Sequence, residues 1–218
     1  MNKRSSVFNS AVAAAVVLLT FSLPALPDAV EGREYAPLSP AQAPETAGKT
    51  EVIEFFSYGC PHCYHLHPLI SKWSAQLPAD VNFIRIPVSM GHAQWGQLVR
   101  AYYALQATGD LARLDTALFD AIHKEKQPLF NEANLTAWVA QHAVDAAKFK
   151  AAFNSFNVYT RASHAEQLSR DYKVDGIPQI VVAGKYIVLG NNFEKMLANA
   201  SQVISKATQG SQSAKAGK

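Results

Sequence analysis

Cysteine is almost missing from this chain: its 218 residues include only two, Cys60 and Cys63, three positions apart. So sparse a set excludes a fold stapled by several disulfides. The pair is also a poor structural bridge. A cross-link stabilises mainly by closing a long loop of the unfolded chain, and this one closes almost none. Charge is scarce too, at 17% Asp, Glu, Lys and Arg, and it is nearly balanced, with 20 basic and 17 acidic residues giving a formal +3. No cluster of Lys or Arg with interleaved aromatics is present, so nothing argues for nucleic acid as a partner. Beyond the first thirty residues no apolar run is long enough to span a bilayer. There is no internal repeat.

What is present is a large apolar fraction, 49%, enough to bury a core for one domain enlarged by an insertion. Residues 1–29 read as an export signal. Lys3 and Arg4 form a short positive start, Ala11 to Phe21 an apolar stretch, and Ser22, Pro24 and Pro27 break it, with Ala25 or Ala29 before the cut. Without that segment the balance is 18 basic against 16 acidic residues. Export places the protein where disulfides persist, the periplasm in a Gram-negative source. Two cysteines kept in such a place, yet useless as a staple, point to chemistry.

The hydrophobic patterns divide the rest of the chain. Residues 30–49, rich in Pro, Ala and small polar side chains, read as an extended lead-in with a short strand near Tyr35–Leu38. Thr50–Tyr58 is predicted as a strand, apolar on both faces and therefore central in its sheet. A helix should follow from Pro61 to about Leu77, with Leu66, Ile70, Trp73 and Leu77 as its buried stripe and Pro68 as a kink. Val81–Val88 completes a β-α-β unit. From 92 to 172 no strand is convincing, and segments 93–108, 110–123, 131–141, 145–155 and 158–172 have helical composition. Strands return at Gln179–Ala183 and Tyr186–Leu189 around a Gly184-Lys185 turn, followed by a last helix from Asn192 to about Lys206. The small, polar and basic tail, 209–218, is expected to be disordered. The fold class is α/β, with 50–91 and 173–208 forming one domain and 92–172 a helical insertion.

Within this frame Cys60 follows a strand and opens a helix. The unpaired N–H groups and positive dipole end of a helix N-terminus stabilise a thiolate, so Cys60 should be acidic. Cys63, one turn further on, should be less exposed and less acidic. Pro61 suits the first helical turn, where its missing N–H is no loss. His62 can add a charge or a hydrogen bond beside the sulfur. A stabilised thiolate favours the reduced pair, which makes the disulfide an oxidant. The alternatives are a structural bridge, already argued against, and a zinc site built from Cys60, Cys63, His65 and His67. In the zinc case Cys63 and His67 share a helix face, but His65 does not.

The segment Phe55-Phe56-Ser57-Tyr58-Gly59-Cys60-Pro61-His62-Cys63-Tyr64 resembles the active-site segment of the DsbA family. Gly176-Ile177-Pro178, followed by Val181-Val182-Ala183-Gly184-Lys185-Tyr186, resembles that family's proline loop and hairpin. The resemblance spans about residues 31–206. It implies a thioredoxin-like fold with an inserted helical domain and a dithiol oxidase needing no cofactor beyond a Cys60–Cys63 disulfide. The family is itself a known instance of a cysteine acidified at a helix N-terminus, with an oxidising disulfide. Carried over, Cys60 is the nucleophile, Cys63 its buried partner, and Pro61 with His62 the pair that sets redox potential. Pro178 becomes a cis-proline facing the sulfurs, and Ile177 offers backbone pairing to a bound peptide. Most X-Pro bonds are trans, so the residues alone would give a trans strand-entry proline.

Glu54 stands in an otherwise apolar strand, where an acid is either on a wet edge or buried with a partner. The resemblance favours burial, with Glu54 exchanging protons with Cys63 and pairing with Arg85, a residue that cannot readily give up its own proton. It also implies partners: reduced or unfolded exported proteins, and a DsbB-type membrane protein for re-oxidation. The protein is expected to be a monomer. A reductase or isomerase working from the dithiol, or a zinc module, are the competing functions. His92, His123, His142 and His164 read as surface or packing residues, and His65 and His67 as surface residues near the rim of the disulfide. Trp73, Trp95 and Trp138 read as core, and Tyr58 as a candidate for an exposed peptide-binding groove.

Overall fold

The computed structural model describes residues 28–46 and 48–216, with side chains through residue 210. The expected export segment lies outside the described residues except for its last two positions. Val, Ile and Phe in Thr50–Phe56 build β2, buried along nearly its whole length. Parallel β3 (Val81–Pro87) lies on one side of β2 and antiparallel β4 (Gln179–Val182) on the other. β5 (Tyr186–Val188) and β1 (Tyr35–Pro37) extend the sheet to the order β1-β5-β4-β2-β3. The β4–β5 turn needs Gly184, which has φ +62°. An added Cβ there would lie 2.1 Å from the Gln42 carbonyl oxygen, because the lead-in strand is strapped across the hairpin.

Each face of the sheet has its own core. On one, α1 (Pro61–Ser74) and α7 (Phe193–Ala216) set Leu66, Ile70, Leu197, Ala200 and Val203 against Val52, Ile180 and Val182. Cys63, Leu66, His67 and Ile70 are the buried residues of α1, a stripe at helical spacing. Pro68 lies inside this helix, which continues past it to Ser74. The stretch between β3 and β4 forms five more helices. They are α2 (Ala93–Thr108), α3 (Leu111–His123), α4 (Glu132–Gln141), α5 (Ala146–Phe153) and α6 (Phe156–Asp171), of which α2 and α6 pack on β3 and α3 packs on α1. Their ends follow capping rules. Asn131, Asp145 and Ser155 accept from the N–H groups of Asn134, of Ala147 and Lys148, and of Val158 respectively, and left-handed Gly109 closes α2. Leu98, Leu105, Leu118, Phe119, Trp138, Phe149 and Phe153 fill the space between them.

The C-terminal end differs from expectation. The last helix, expected to close at about Lys206, runs on as α7 to Ala216. A helix already nucleated by packing at Leu197–Ala207 gains one backbone hydrogen bond per added residue, so polar composition alone does not stop it.

Phe119 of α3 joins the insertion to the sheet, with ring contacts to Phe56, Tyr58, Tyr64 and His67. Phe119→Ala should therefore destabilise the protein by about 3–5 kcal/mol, read as a lower midpoint in urea with little change in slope.

Candidate active site

The chain leaves β2 at Phe56 and enters α1 at Pro61 through a turn tied to Ser57. The Cys60 N–H donates to the Ser57 carbonyl at 3.1 Å, and the Gly59 N–H donates to Ser57 Oγ at 3.2 Å. Gly59 leaves room here for the Trp95 indole, since an added Cβ would sit 2.3 Å from Nε1. Cys60 takes the N-cap position of α1 with extended backbone (φ −89°, ψ 120°), and Pro61 opens the first turn. Cys60 is 4% exposed and Cys63 fully buried, while Pro61 and His62 are exposed. Both cysteines are thiols in this structure.

The two sulfurs differ strongly in acidity. A hydrogen bond from the Cys63 thiol is the largest cause that brings Cys60 down from 9.0 to about 6. The N–H groups of Cys63 and His62 and the charge of His62 add to it, against the opposing effect of burial. Cys63 moves far the other way, pushed up by burial, by its bond to Cys60 and by the negative charges of Cys60 and Glu54. The reduced pair is therefore one thiolate and one firmly held proton. Opposite them, the Ile177–Pro178 bond is cis, and the Ile177 carbonyl lies 3.6 Å from Cys60 Sγ. Ile177 and Pro178 are partly exposed beside the sulfur.

Beneath the cysteines lies a buried charge cluster. Glu54, 1% exposed, pairs in register with Arg85 on β3, whose Nε donates to Glu54 Oε2 at 2.6 Å. Arg85 Nη1 donates to Asp115 Oδ2 on α3, also at 2.6 Å, and the Tyr58 hydroxyl donates to Asp115 Oδ1. The guanidinium lies over the Phe56 ring, 3.9 Å from its centroid. Burial raises the Glu54 pKa and the Asp115 charge adds to the rise, while Arg85 opposes it. Two flanking carboxylates keep Arg85 protonated despite its burial. One guanidinium thus faces two acids, and Glu54 Oε1 has no hydrogen-bond partner among the described residues.

The wet-edge reading of Glu54 is thereby excluded, and two other expectations need correction. Tyr58 is fully buried, not part of an exposed groove, because its hydroxyl reaches inward to Asp115 and its ring packs on Phe119. His67, expected at the surface, is 5% exposed, since i+4 from Cys63 places it on the buried stripe of α1. Its Nε2 lies 3.0 Å from Thr116 Oγ1 and 3.7 Å from Asp115 Oδ2, while His65 is exposed. Among the described residues no three His, Cys, Asp or Glu side chains converge as metal ligands. Sequence reasoning missed Asp115, although an acid four residues before Phe119 on an amphipathic helix was a usable signal.

Comparison with known proteins agrees with this geometry. The DSBA-like thioredoxin domain family matches residues 51–202. The chain is 34% identical over 205 residues to the thiol:disulfide interchange protein DsbA of Bordetella pertussis, covering 92% of this chain and 97% of that one. It is 39% identical over 159 residues to DsbA of Pseudomonas aeruginosa strain PAO1, covering 73% and 75%. The crystal structure of Pseudomonas aeruginosa DsbA superposes with a TM-score of 0.79 at 35% identity, over 83% of this chain and 95% of that one. Oxidoreductase DsbA from Xylella fastidiosa gives 0.77 at 34% identity, over 83% and 98%. With an acidic cysteine at a helix N-terminus, a buried partner thiol and a thioredoxin-like sheet beneath them, the chain belongs to the DsbA family of thiol:disulfide oxidoreductases.

Proposed function

We propose that the protein works in the oxidising direction, donating a Cys60–Cys63 disulfide to reduced cysteine pairs of exported proteins in the periplasm. The observation that carries this reading is where the pair sits: Cys60 caps α1, beside the N–H groups of its first turn, and Cys63 is fully buried. That placement favours a Cys60 thiolate with a Cys63 thiol, and so the reduced state. A substrate thiolate attacks Cys60 Sγ, the Cys60–Cys63 bond breaks, and Cys63 leaves with the electron pair and takes up a proton. A second substrate thiolate then attacks the substrate sulfur of the mixed disulfide, and Cys60 leaves as a thiolate. Two electrons have passed to the protein, and the substrate holds a new disulfide.

Glu54 supplies the proton that Cys63 needs, as the buried acid with a raised pKa beneath it. Arg85 holds Glu54 in place without titrating. Pro61 and His62 tune the Cys60 thiolate, and Ile177 with Pro178 presents backbone beside the sulfur for an extended substrate segment. No cofactor other than the disulfide is needed. Re-oxidation falls to a membrane partner of the DsbB type, and the working unit is a monomer.

Oxidised protein mixed with a reduced two-cysteine peptide should yield one peptide disulfide per protein. With a disulfide-bonded peptide, Cys63→Ala should accumulate a mixed disulfide on Cys60, seen by mass spectrometry; failure to trap one would contradict the assigned roles. Glu54→Gln, which holds the shape but cannot pass a proton, should slow reduction of the protein disulfide about tenfold or more in stopped flow.

Stability should also depend on pH in a redox-specific way. Because Cys60 is acidic when folded, its contribution to the reduced form is present above its unfolded pKa and is lost as pH falls through about 6. The reduced form should therefore gain stability over the oxidised form from pH 6 to about 8.5, by roughly 2–3 kcal/mol in paired denaturant titrations. The raised pKa of Cys63 works against any further gain above that. A pH-independent gap would contradict the assignment.

A further inference from the structure

Outside the machinery described so far, His123 makes the contact with the clearest geometry. It ends α3, and its Nε2 lies 2.7 Å from the Tyr58 carbonyl oxygen, two residues before Cys60. Its ring stacks on Tyr64, one residue after Cys63, with centroids 4.9 Å apart and planes at 18°. The Tyr64 hydroxyl in turn donates to Asp120 Oδ1 on α3 at 3.1 Å. One helix of the insertion thus holds the tetrapeptide at both ends.

The turn explains why such a grip matters. β2 has ended at Phe56 and α1 begins at Pro61, so the Tyr58 carbonyl belongs to no ladder, and Tyr58 itself is fully buried. A buried carbonyl without a donor is costly, and a turn with one free carbonyl can rotate its peptide planes. Gly59, the next residue, has no side chain to stiffen the turn, and its N–H is held at only one point, by Ser57 Oγ. Rotation there would move Cys60 Sγ away from the N–H groups of His62 and Cys63, which stabilise its thiolate.

We infer that His123 is a positioning residue for the redox reaction, donating its Nε2–H to the Tyr58 carbonyl and so holding Cys60 over the first N–H groups of α1. A carbonyl only accepts, so Nε2 must carry the hydrogen. Burial lowers the His123 pKa, which favours the neutral ring with Nδ1 bare. Both the neutral Nε2–H form and the cation keep the donor, so the grip does not switch with pH. The inference rests on Cys60 being the acidic thiol.

The test compares two replacements in the full-length mature protein. His123→Phe keeps the ring on Tyr64 and removes the donor, while His123→Gln offers an amide N–H without the ring. Thiolate absorbance of the reduced protein is titrated in each, together with the equilibrium against glutathione. In His123→Phe the Cys60 pKa should rise by about half a unit or more and the glutathione equilibrium should shift about threefold or more toward the disulfide. His123→Gln should recover most of both shifts. An unmoved Cys60 in His123→Phe, or equal shifts in the two variants, would overturn the inference and leave His123 as packing. Should either variant fail to fold, the nitrogen NMR signals of His123 in the unaltered protein decide, since an Nδ1–H tautomer could not make the bond. A wild-type titration with no low-pKa thiol would instead contradict the assignment of Cys60.

Discussion

The thiolate of Cys60 at the first turn of α1 is the interaction on which the rest of the site depends. Its neighbours are backbone N–H groups and the Cys63 thiol, all within one helical turn, so the stabilisation comes from local geometry and not from a nearby lysine or arginine. Such a site can be nearly buried and still acidic, because fixed dipoles replace water around the sulfur. The disulfide lacks this stabilisation. The difference between the two redox states is therefore built into the backbone, and whatever fixes that backbone also fixes the redox chemistry.

Two parts of the fold share this work. The sheet supplies the floor: Glu54 and Arg85 meet because β2 and β3 pair in parallel with these residues opposite each other. Removing one partner from a buried pair leaves an uncompensated charge, so Glu54, Arg85 and Asp115 stand or fall together. The insertion supplies the walls. Asp115, Thr116, Phe119, Asp120 and His123 of α3 all touch the active-site segment or the helix that follows it. Trp95 of α2 closes over Gly59 from another side. The helical insertion thus completes the site.

Much of this was legible in the residues. The strand, helix, strand order around Cys60-Pro61-His62-Cys63 follows from apolar periodicity and from Pro61 at a helix start. Glu54 announced itself as an acid in an apolar strand. The cis bond at Pro178 was legible only through resemblance, because local sequence favours trans. What stayed hidden depended on packing across distant segments. Tyr58 reads as an exposed aromatic until Asp115, 57 positions later, gives its hydroxyl a buried partner. His67 reads as a surface residue near the rim of the disulfide until the buried face of α1 is known. The continuation of α7 to Ala216 reflects helix propagation, which composition underestimates.

The central claim is that the fold favours the dithiol over the disulfide, and the most direct measurement is the equilibrium with glutathione as a function of pH. Reduction of the protein by two glutathione thiols leaves Cys60 ionised above pH 6, so one proton is released per turnover. The account predicts a protein that is largely reduced even in an oxidising glutathione mixture. Its equilibrium constant should rise about tenfold per pH unit between pH 6.5 and 8. A strongly reducing potential, or an equilibrium flat with pH across that range, would contradict it.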